Sequence, residues 1–200
     1  MTDHMRFRVG DQAALELVQG NIIQETTDAI VNAANSSLLG GGGVDSAIHK
    51  AAGAKFAAEC RKLHEQHSPL APGHAVSSSG GDLPARFVIH TVGPVWHGGD
   101  RNEPQILESC YCNSMAEAEH LKCTSVSFPA ISTGVFGYPV PQAASIAVRA
   151  IADLLRSPRR IILVRLVLFS EDAYNAYVRA ANELVRSAPH FKIIPETVHS

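Results

Sequence analysis

A chain of 200 residues with 17 Lys and Arg against 19 Asp and Glu carries a formal charge of -2. That length fits one domain, and the absence of a basic excess disfavours a protein that coats nucleic acid without regard to sequence. It is 46% hydrophobic and 18% charged, enough apolar matter to bury a core and too much for a disordered chain.

Apolar, β-rich runs alternate with helical patterns along the chain. The N-terminal stretch MTDHMRFRVG has no apolar core of the kind a signal peptide needs, and residues 1–10 are expected to be flexible. Strands are predicted at Leu15–Val18, Ala29–Val31, His74–Ser77, Phe87–Val92, Ser125–Ala130 and Ile161–Phe169. The last is nearly continuous in apolar residues, as a strand covered on both faces would be. Helices are predicted at Ser46–Ala52, Lys55–Gln66, Pro104–Leu121, Pro141–Leu155 and Ala173–Val185. Pro141 suits a first helical turn, and Ser170 can cap the helix that follows it. The uncharged run Cys123–Val148 contains Pro129, Gly134, Gly137, Pro139 and Pro141, which rule it out as a membrane-spanning helix. Strand–helix alternation implies a largely parallel sheet with helices on both sides, and such sheets bind ligands beyond the carboxyl ends of their strands.

Two glycine-rich loops follow strands. In the first, Val31 leads through Asn32 and Asn35 into Gly40–Gly43, then Val44 and Asp45 where a helix begins. Four consecutive glycines leave bare amides at a helix N-terminus, a site for an anion such as phosphate. Asp45 can be read as a helix cap or, beside a phosphate, as a general base or water-orienting group. Of Asn32 and Asn35, one is expected to fix local backbone and the other to face a ligand. The second loop is Ser132, Thr133, Gly134, Val135 and Phe136, followed by Gly137–Pro139. It offers another anion cradle, with Phe136 free to stack on a ribose or base. A third turn carries Gly20, Asn21 and Ile22 after the first strong strand.

Other conspicuous residues read as structural. His49 is expected to pack against its helix and His90 to be a satisfied core histidine. His64 and His67 lack partners for a metal site. Arg156, Arg159 and Arg160 complement a helix dipole, with a nucleic-acid patch as the alternative. Cys60, Cys110, Cys112 and Cys123 show no metal-binding spacing and read as free thiols of a cytoplasmic protein.

These residues carry a family resemblance. QGNI, DAIVNAANSSLLGGGGVDSAIHKAAG, LPARFVIHTVGP and FPAISTGVFGYP, spread between Leu15 and Ala181, resemble the macrodomains, and MacroD-type ADP-ribosyl hydrolases most of all. The resemblance implies a three-layer α/β/α sandwich with a mixed, largely parallel central sheet, as a single domain over residues 11–195. It implies that Asn21 and Ile22 meet the adenine, and that Gly42, Gly43 and Val44 offer amides to the diphosphate. Ser132, Thr133, Gly134, Val135 and Phe136 would close over the phosphates, with Phe136 against the distal ribose. Asn35 would hold that ribose, Asp45 would be the catalytic position, and Phe169 would line the adenine pocket. One departure is plain: the family usually has aspartate at the position of Asn21, so weaker adenine recognition is expected.

The implied activity removes mono-ADP-ribose from ester-linked acidic side chains of proteins, or deacetylates O-acetyl-ADP-ribose, with no metal and no cofactor. Expected partners are ADP-ribose, O-acetyl-ADP-ribose and mono-ADP-ribosylated proteins. No membrane is expected, nor nucleic acid beyond ADP-ribosylated ends. The rival readings are a non-catalytic ADP-ribose reader and a regulatory partner of an RNA-processing enzyme.

Overall fold

The computed structural model describes residues 4–194. Its strands are β1 (His4–Val9), β2 (Ala13–Gln19), β3 (Ala29–Ala34), β4 (Ala75–Ser79), β5 (Phe87–Val92), β6 (Ser125–Phe128), β7 (Leu163–Leu168) and β8 (Phe191–Ile194). Its helices are α1 (Gly43–His67), α2 (Glu103–His120), α3 (Val140–Leu155) and α4 (Glu171–Ser187), with a short 3-10 turn at Ile22–Gln24. The eight strands form one sheet in the order β4-β5-β3-β6-β7-β2-β1-β8. Its middle is parallel, through β5, β3, β6, β7 and β2, and antiparallel pairs close both edges.

Alternation along each strand sorts side chains onto two faces. On one face Ile30, Val88 and Val167 pack with Ile48, Ala52, Phe56 and Cys60 of α1. On the other, Ala29, Val31, Ile89, Leu166 and Leu168 join the buried residues of α2, α3 and α4. The outcome is the three-layer α/β/α sandwich with a mixed sheet. Among the described residues no helix is long and apolar enough to cross a membrane. Cys60, Cys110 and Cys123 are buried, Cys112 is half-buried, and none forms a disulfide.

All six predicted strands and the helices after them are present, with ends shifted by a few residues. The two short helices expected from Ser46 to Gln66 are both present, as the two segments of α1 on either side of Gly53, whose backbone is non-helical (φ 79°, ψ -169°). There the Asp82 amide bonds back to the Ala52 carbonyl, and a side chain at Gly53 would collide with the Asp82 carboxylate.

The N-terminus departs from expectation. The reading of residues 1–10 as flexible fails over His4–Val9, which form β1 between β2 and β8. Phe7 and Val9 are fully buried, and Phe7 stacks on Phe191 with ring centroids 4.8 Å apart. Arg6 lies 3.5 Å and His4 3.3 Å from the carboxylate of the buried Glu16. The signal was an alternation too short to weigh, and its partner strand β8 lies at the far end of the chain. Residues 1–3 of that stretch, and residue 195 at the expected end of the domain, lie outside the described residues.

Truncating Phe7 tests how much this strand matters. Phe7→Ala is expected to lower the unfolding free energy by about 3 kcal/mol in urea titration, as for other buried Phe→Ala changes. A loss below about 1 kcal/mol would mean that β1 contributes little.

Candidate active site

Two cavities open at the carboxyl ends of the parallel strands, where an open α/β sheet presents its loops. The first, of about 290 Å³, is lined by Ala33, Ala34, Asn35, Gly41, Gly42, Gly43, Val44, Asp45, Gly93, Ala130, Ser132, Gly134, Val135 and Phe136. The second, of about 490 Å³, is lined chiefly by Gly20, Asn21, Ile22, Gly43, Val44, Thr133, Gly134, Val167, Phe169 and Ser170. Gly43, Val44, Ala130 and Gly134 line both, so the cavities meet at the start of α1 and the loop after β6. Every residue singled out for ligand contact in the sequence borders one cavity or the other. Neither is lined by Lys or Arg, and Asp45 is the sole ionisable side chain in either lining.

The ridge between the cavities is built from backbone. Gly42 is the N-cap of α1, no described side chain caps that helix, and its first-turn N–H groups have no partner among the described residues. Opposite them, the loop after β6 folds on itself through bonds from Gly137 to Gly134 and from Tyr138 to Ser132. The amides of Gly134, Val135 and Phe136 have no acceptor among the described residues. Ser132 takes a left-handed φ of 65°, and its Oγ stands where a side chain at position 93 would be, so that position must be glycine. Two sets of unpaired amides converge on one uncharged place, an arrangement suited to a diphosphate.

Asp45 is the third residue of α1, and the cap lies elsewhere, at Gly42. Its carboxylate is only 2% exposed and its two oxygens are treated differently. Oδ1 accepts a 2.7 Å hydrogen bond from Asn32 Nδ2, and His49 Nε2 lies 3.3 Å away without hydrogen-bond alignment. Oδ2 has no partner. A Cβ at position 41 would stand 3.1 Å from Oδ2 and 2.9 Å from Asn35 Nδ2, so only glycine leaves this corner open. Asn35 borders the cavity while holding its own turn. Its Oδ1 accepts from the Ser37 amide (3.0 Å) and Ser37 Oγ (2.6 Å), and its Nδ2 donates to the Gly40 carbonyl (2.9 Å). One Nδ2 hydrogen stays uncommitted.

The asparagines do not divide as expected: Asn35 both fixes its local backbone turn and borders the cavity, while Asn32, fully buried, bonds the side chains of Asp45 and His90. Asn21 caps the 3-10 turn, its Oδ1 accepting from the Ile23 amide at 3.3 Å. The Asn21 side-chain oxygen is thus already engaged by its own turn. Phe169 is 82% exposed at the rim of the larger cavity, a free apolar ring beside Asn21 and Ile22. His49 packs edge-on against Phe56 at 5.0 Å, a packing role, but its nearness to Asp45 also places it at the site. His90 is satisfied on both ring nitrogens, by Asn32 and by Ser78. Cys60 is no nucleophile, because burial and the nearby Asp45 carboxylate push its thiol up to about 12. Among the described residues no cluster of His, Cys, Asp or Glu is placed to hold a metal ion.

Sequence reasoning missed the segment that braces the Phe136 loop. Trp96 donates its amide to the Phe136 carbonyl (2.9 Å), and its ring lies 4.6 Å from that of Tyr138. Glu103 holds this segment in shape. Its buried carboxylate accepts from the amides of His97 (2.9 Å), Gly99 (3.2 Å) and Arg101. Burial alone would raise the Glu103 pKa, but these amides outweigh it and bring it to about 2. The one signal available in the sequence was a pair of glycines followed four residues later by an acid at a helix start.

The fold is a three-layer α/β/α sandwich that carries a cradle of backbone amides and a single buried carboxylate bonded through one oxygen. The Macro domain family model matches residues 31–147. An O-acetyl-ADP-ribose deacetylase of Klebsiella pneumoniae is 51% identical over 164 residues, covering 82% of this chain and 94% of that protein. The Oceanobacillus iheyensis macrodomain, solved with ADP, aligns with a TM-score of 0.89 at 42% identity, over 94% of this chain and 99% of that one. The Trypanosoma brucei macrodomain in complex with ADP-ribose gives a TM-score of 0.75 at 36% identity, over 82% and 68% of the two chains. The chain belongs to the macro domain family.

Glu103 generates a pH prediction. Its folded pKa lies below the ordinary 4.5, so the stability it contributes is complete above pH 4.5 and is lost as pH falls through about 2. Urea midpoints of wild type and Glu103→Gln should differ by a constant amount above pH 4.5 and converge between pH 4.5 and 2. A gap that persists unchanged at low pH would show that the carboxylate charge does not hold the loop.

Proposed function

We propose that this chain binds ADP-ribose across the two cavities and hydrolyses an ester at its distal ribose. The observation that carries the reading is the Asp45 carboxylate, with Oδ1 bonded to Asn32 and Oδ2 unpartnered at the cavity corner. A purely binding site gains nothing from a buried carboxylate beside bound phosphates, since like charges repel there. A site that must orient water beside a phosphate does.

The diphosphate lies between the amides at the start of α1 (Gly42, Gly43, Val44) and those of the Ser132–Phe136 loop. These amides need no lysine or arginine because fixed dipoles supply the stabilisation. The adenine occupies the larger cavity beside Asn21, Ile22 and Phe169. The distal ribose occupies the smaller one, with the free Asn35 Nδ2 hydrogen toward its hydroxyls and Phe136 closing one side. Water held between Asp45 Oδ2 and a phosphate oxygen attacks, the ester C–O bond breaks, and a carboxylic acid leaves. The acyl group is acetate in O-acetyl-ADP-ribose, or an aspartate or glutamate side chain of a mono-ADP-ribosylated protein. Relatives support this reading: a deacetylase of O-acetyl-ADP-ribose at 51% identity, and macrodomains solved with ADP and ADP-ribose. The unit that does this is the whole sheet from β1 to β8, and four free cysteines fit a cytoplasmic setting.

Two experiments test the reading. Release of free ADP-ribose from a glutamate-linked mono-ADP-ribosylated protein, and of acetate from O-acetyl-ADP-ribose, is expected for wild type. Asp45→Ala should lose turnover by about 100-fold or more while binding ADP-ribose within about threefold of wild type. Binding without any release would make the domain a reader, and loss of affinity in step with rate would make Asp45 structural. In calorimetry, Asn21→Asp should bind ADP-ribose more tightly than wild type by about three- to tenfold, because a charged acceptor roughly doubles such a hydrogen bond. Equal affinities would remove Asn21 from adenine recognition.

A further inference from the structure

The anchor of Asp45 is itself set from further away. Asn32 Nδ2 carries two hydrogens and gives them to two acceptors, Asp45 Oδ1 at 2.7 Å and His90 Nδ1 at 3.2 Å. Asn32 Oδ1, at the other end of the amide, is buried and has no partner. Nothing on the carbonyl side therefore fixes which way this amide points. Its orientation rests on the two acceptors that meet its NH₂ group, and one of them is an imidazole that can present either a lone pair or a hydrogen.

The sheet decides which. In the parallel register of β3 and β5, Asn32 lies beside His90, and on the far side β4 brings Ser78 within 2.9 Å of His90 Nε2. Asn32 Nδ2 can only donate to His90 Nδ1, and Ser78 Oγ can accept from Nε2 while giving its own hydrogen to the Ser79 carbonyl at 3.2 Å. The Nε2 nitrogen accordingly carries the proton, and Nδ1 keeps a lone pair for Asn32. His90 is fully buried, and burial holds its imidazole down to about 4, so the ring stays neutral. With the proton on Nδ1 instead, hydrogen would face hydrogen. The amide would then turn and set its carbonyl oxygen against the Asp45 carboxylate.

We propose that His90, held in one tautomer by Ser78, is a positioning residue for Asp45: it fixes the Asn32 amide and thereby which carboxylate oxygen is left unpartnered. The ring lines neither cavity, so its effect falls on turnover and leaves binding alone. The inference rests on the reading of Asp45 as the catalytic carboxylate.

The test sets size against hydrogen bonding in the intact protein, with O-acetyl-ADP-ribose as substrate. His90→Leu fills the site but removes both ring nitrogens. His90→Asn leaves a void but keeps an acceptor near the position of Nδ1. If His90 positions Asp45, His90→Leu should lower kcat by about tenfold or more, and His90→Asn should recover most of that loss despite packing worse. KM, and ADP-ribose affinity by calorimetry, should stay within about twofold of wild type in both. The opposite rank order, with the leucine variant faster, would overturn the proposal, as would affinity falling in step with kcat. Should His90→Leu fail to fold, Ser78→Ala decides: a lower kcat at unchanged KM sustains the proposal, and an unchanged kcat overturns it. Asp45→Ala runs alongside. If it turns over at the wild-type rate, the functional reading itself fails. If it is inactive while the His90 and Ser78 variants are not, only the present inference fails.

Discussion

The 2.7 Å hydrogen bond from Asn32 to Asp45 joins the middle of the sheet to the first turn of the helix that covers one face. It places a buried carboxylate beside two rows of free amides without adding a cation to the site. A lysine or arginine there would strengthen anion binding, yet it would also neutralise the one group available to orient water. The domain separates the two tasks. In the proposed function, backbone dipoles hold the phosphates, and a single side chain, anchored from behind through one oxygen, is kept for chemistry.

That separation explains the glycines. Gly41 stands where any Cβ would press on Asn35 and Asp45, and Gly93 where it would meet Ser132. These positions are fixed by what approaches them from other elements, in space that a side chain would fill. The entropy cost of bare backbone is offset by an open corner beside Asp45 and by amides that a ligand can reach.

The periphery is organised to keep these parts still. Glu103 gathers the amides of residues 97–101, Trp96 ties that segment to the Phe136 carbonyl, and Trp96 and Tyr138 pack ring against ring. On the far side, β1 and β8 extend the sheet past β2 and bury Phe7 against Phe191. Loops that carry function need rigid supports, because small displacements at a reacting centre weigh heavily on rate.

The sequence by itself determined the strand–helix alternation, the parallel middle of the sheet, both glycine loops and the unusual carboxylate within the first. These features rest on periodicity and on residue types whose physical preferences are strong and local. Asn32 lies within β3, and Asn35 lies one residue past its end, in the turn that leads to the glycines. Tertiary structure alone decided which asparagine anchors and which faces the cavity, because that choice depends on what β5 and α1 bring alongside. The pairing of Asn32 with His90 is a matter of register between strands far apart in the chain, and one residue of slip would turn His90 away. Strand β1 escaped notice for the same reason: six residues of weak alternation gain their meaning from β2 and β8 on either side. The Glu103 brace was hidden as well, since a carboxylate that collects three amides is visible only once the loop has closed around it. Local preference specified the parts, and contacts between distant segments decided how each side chain is used.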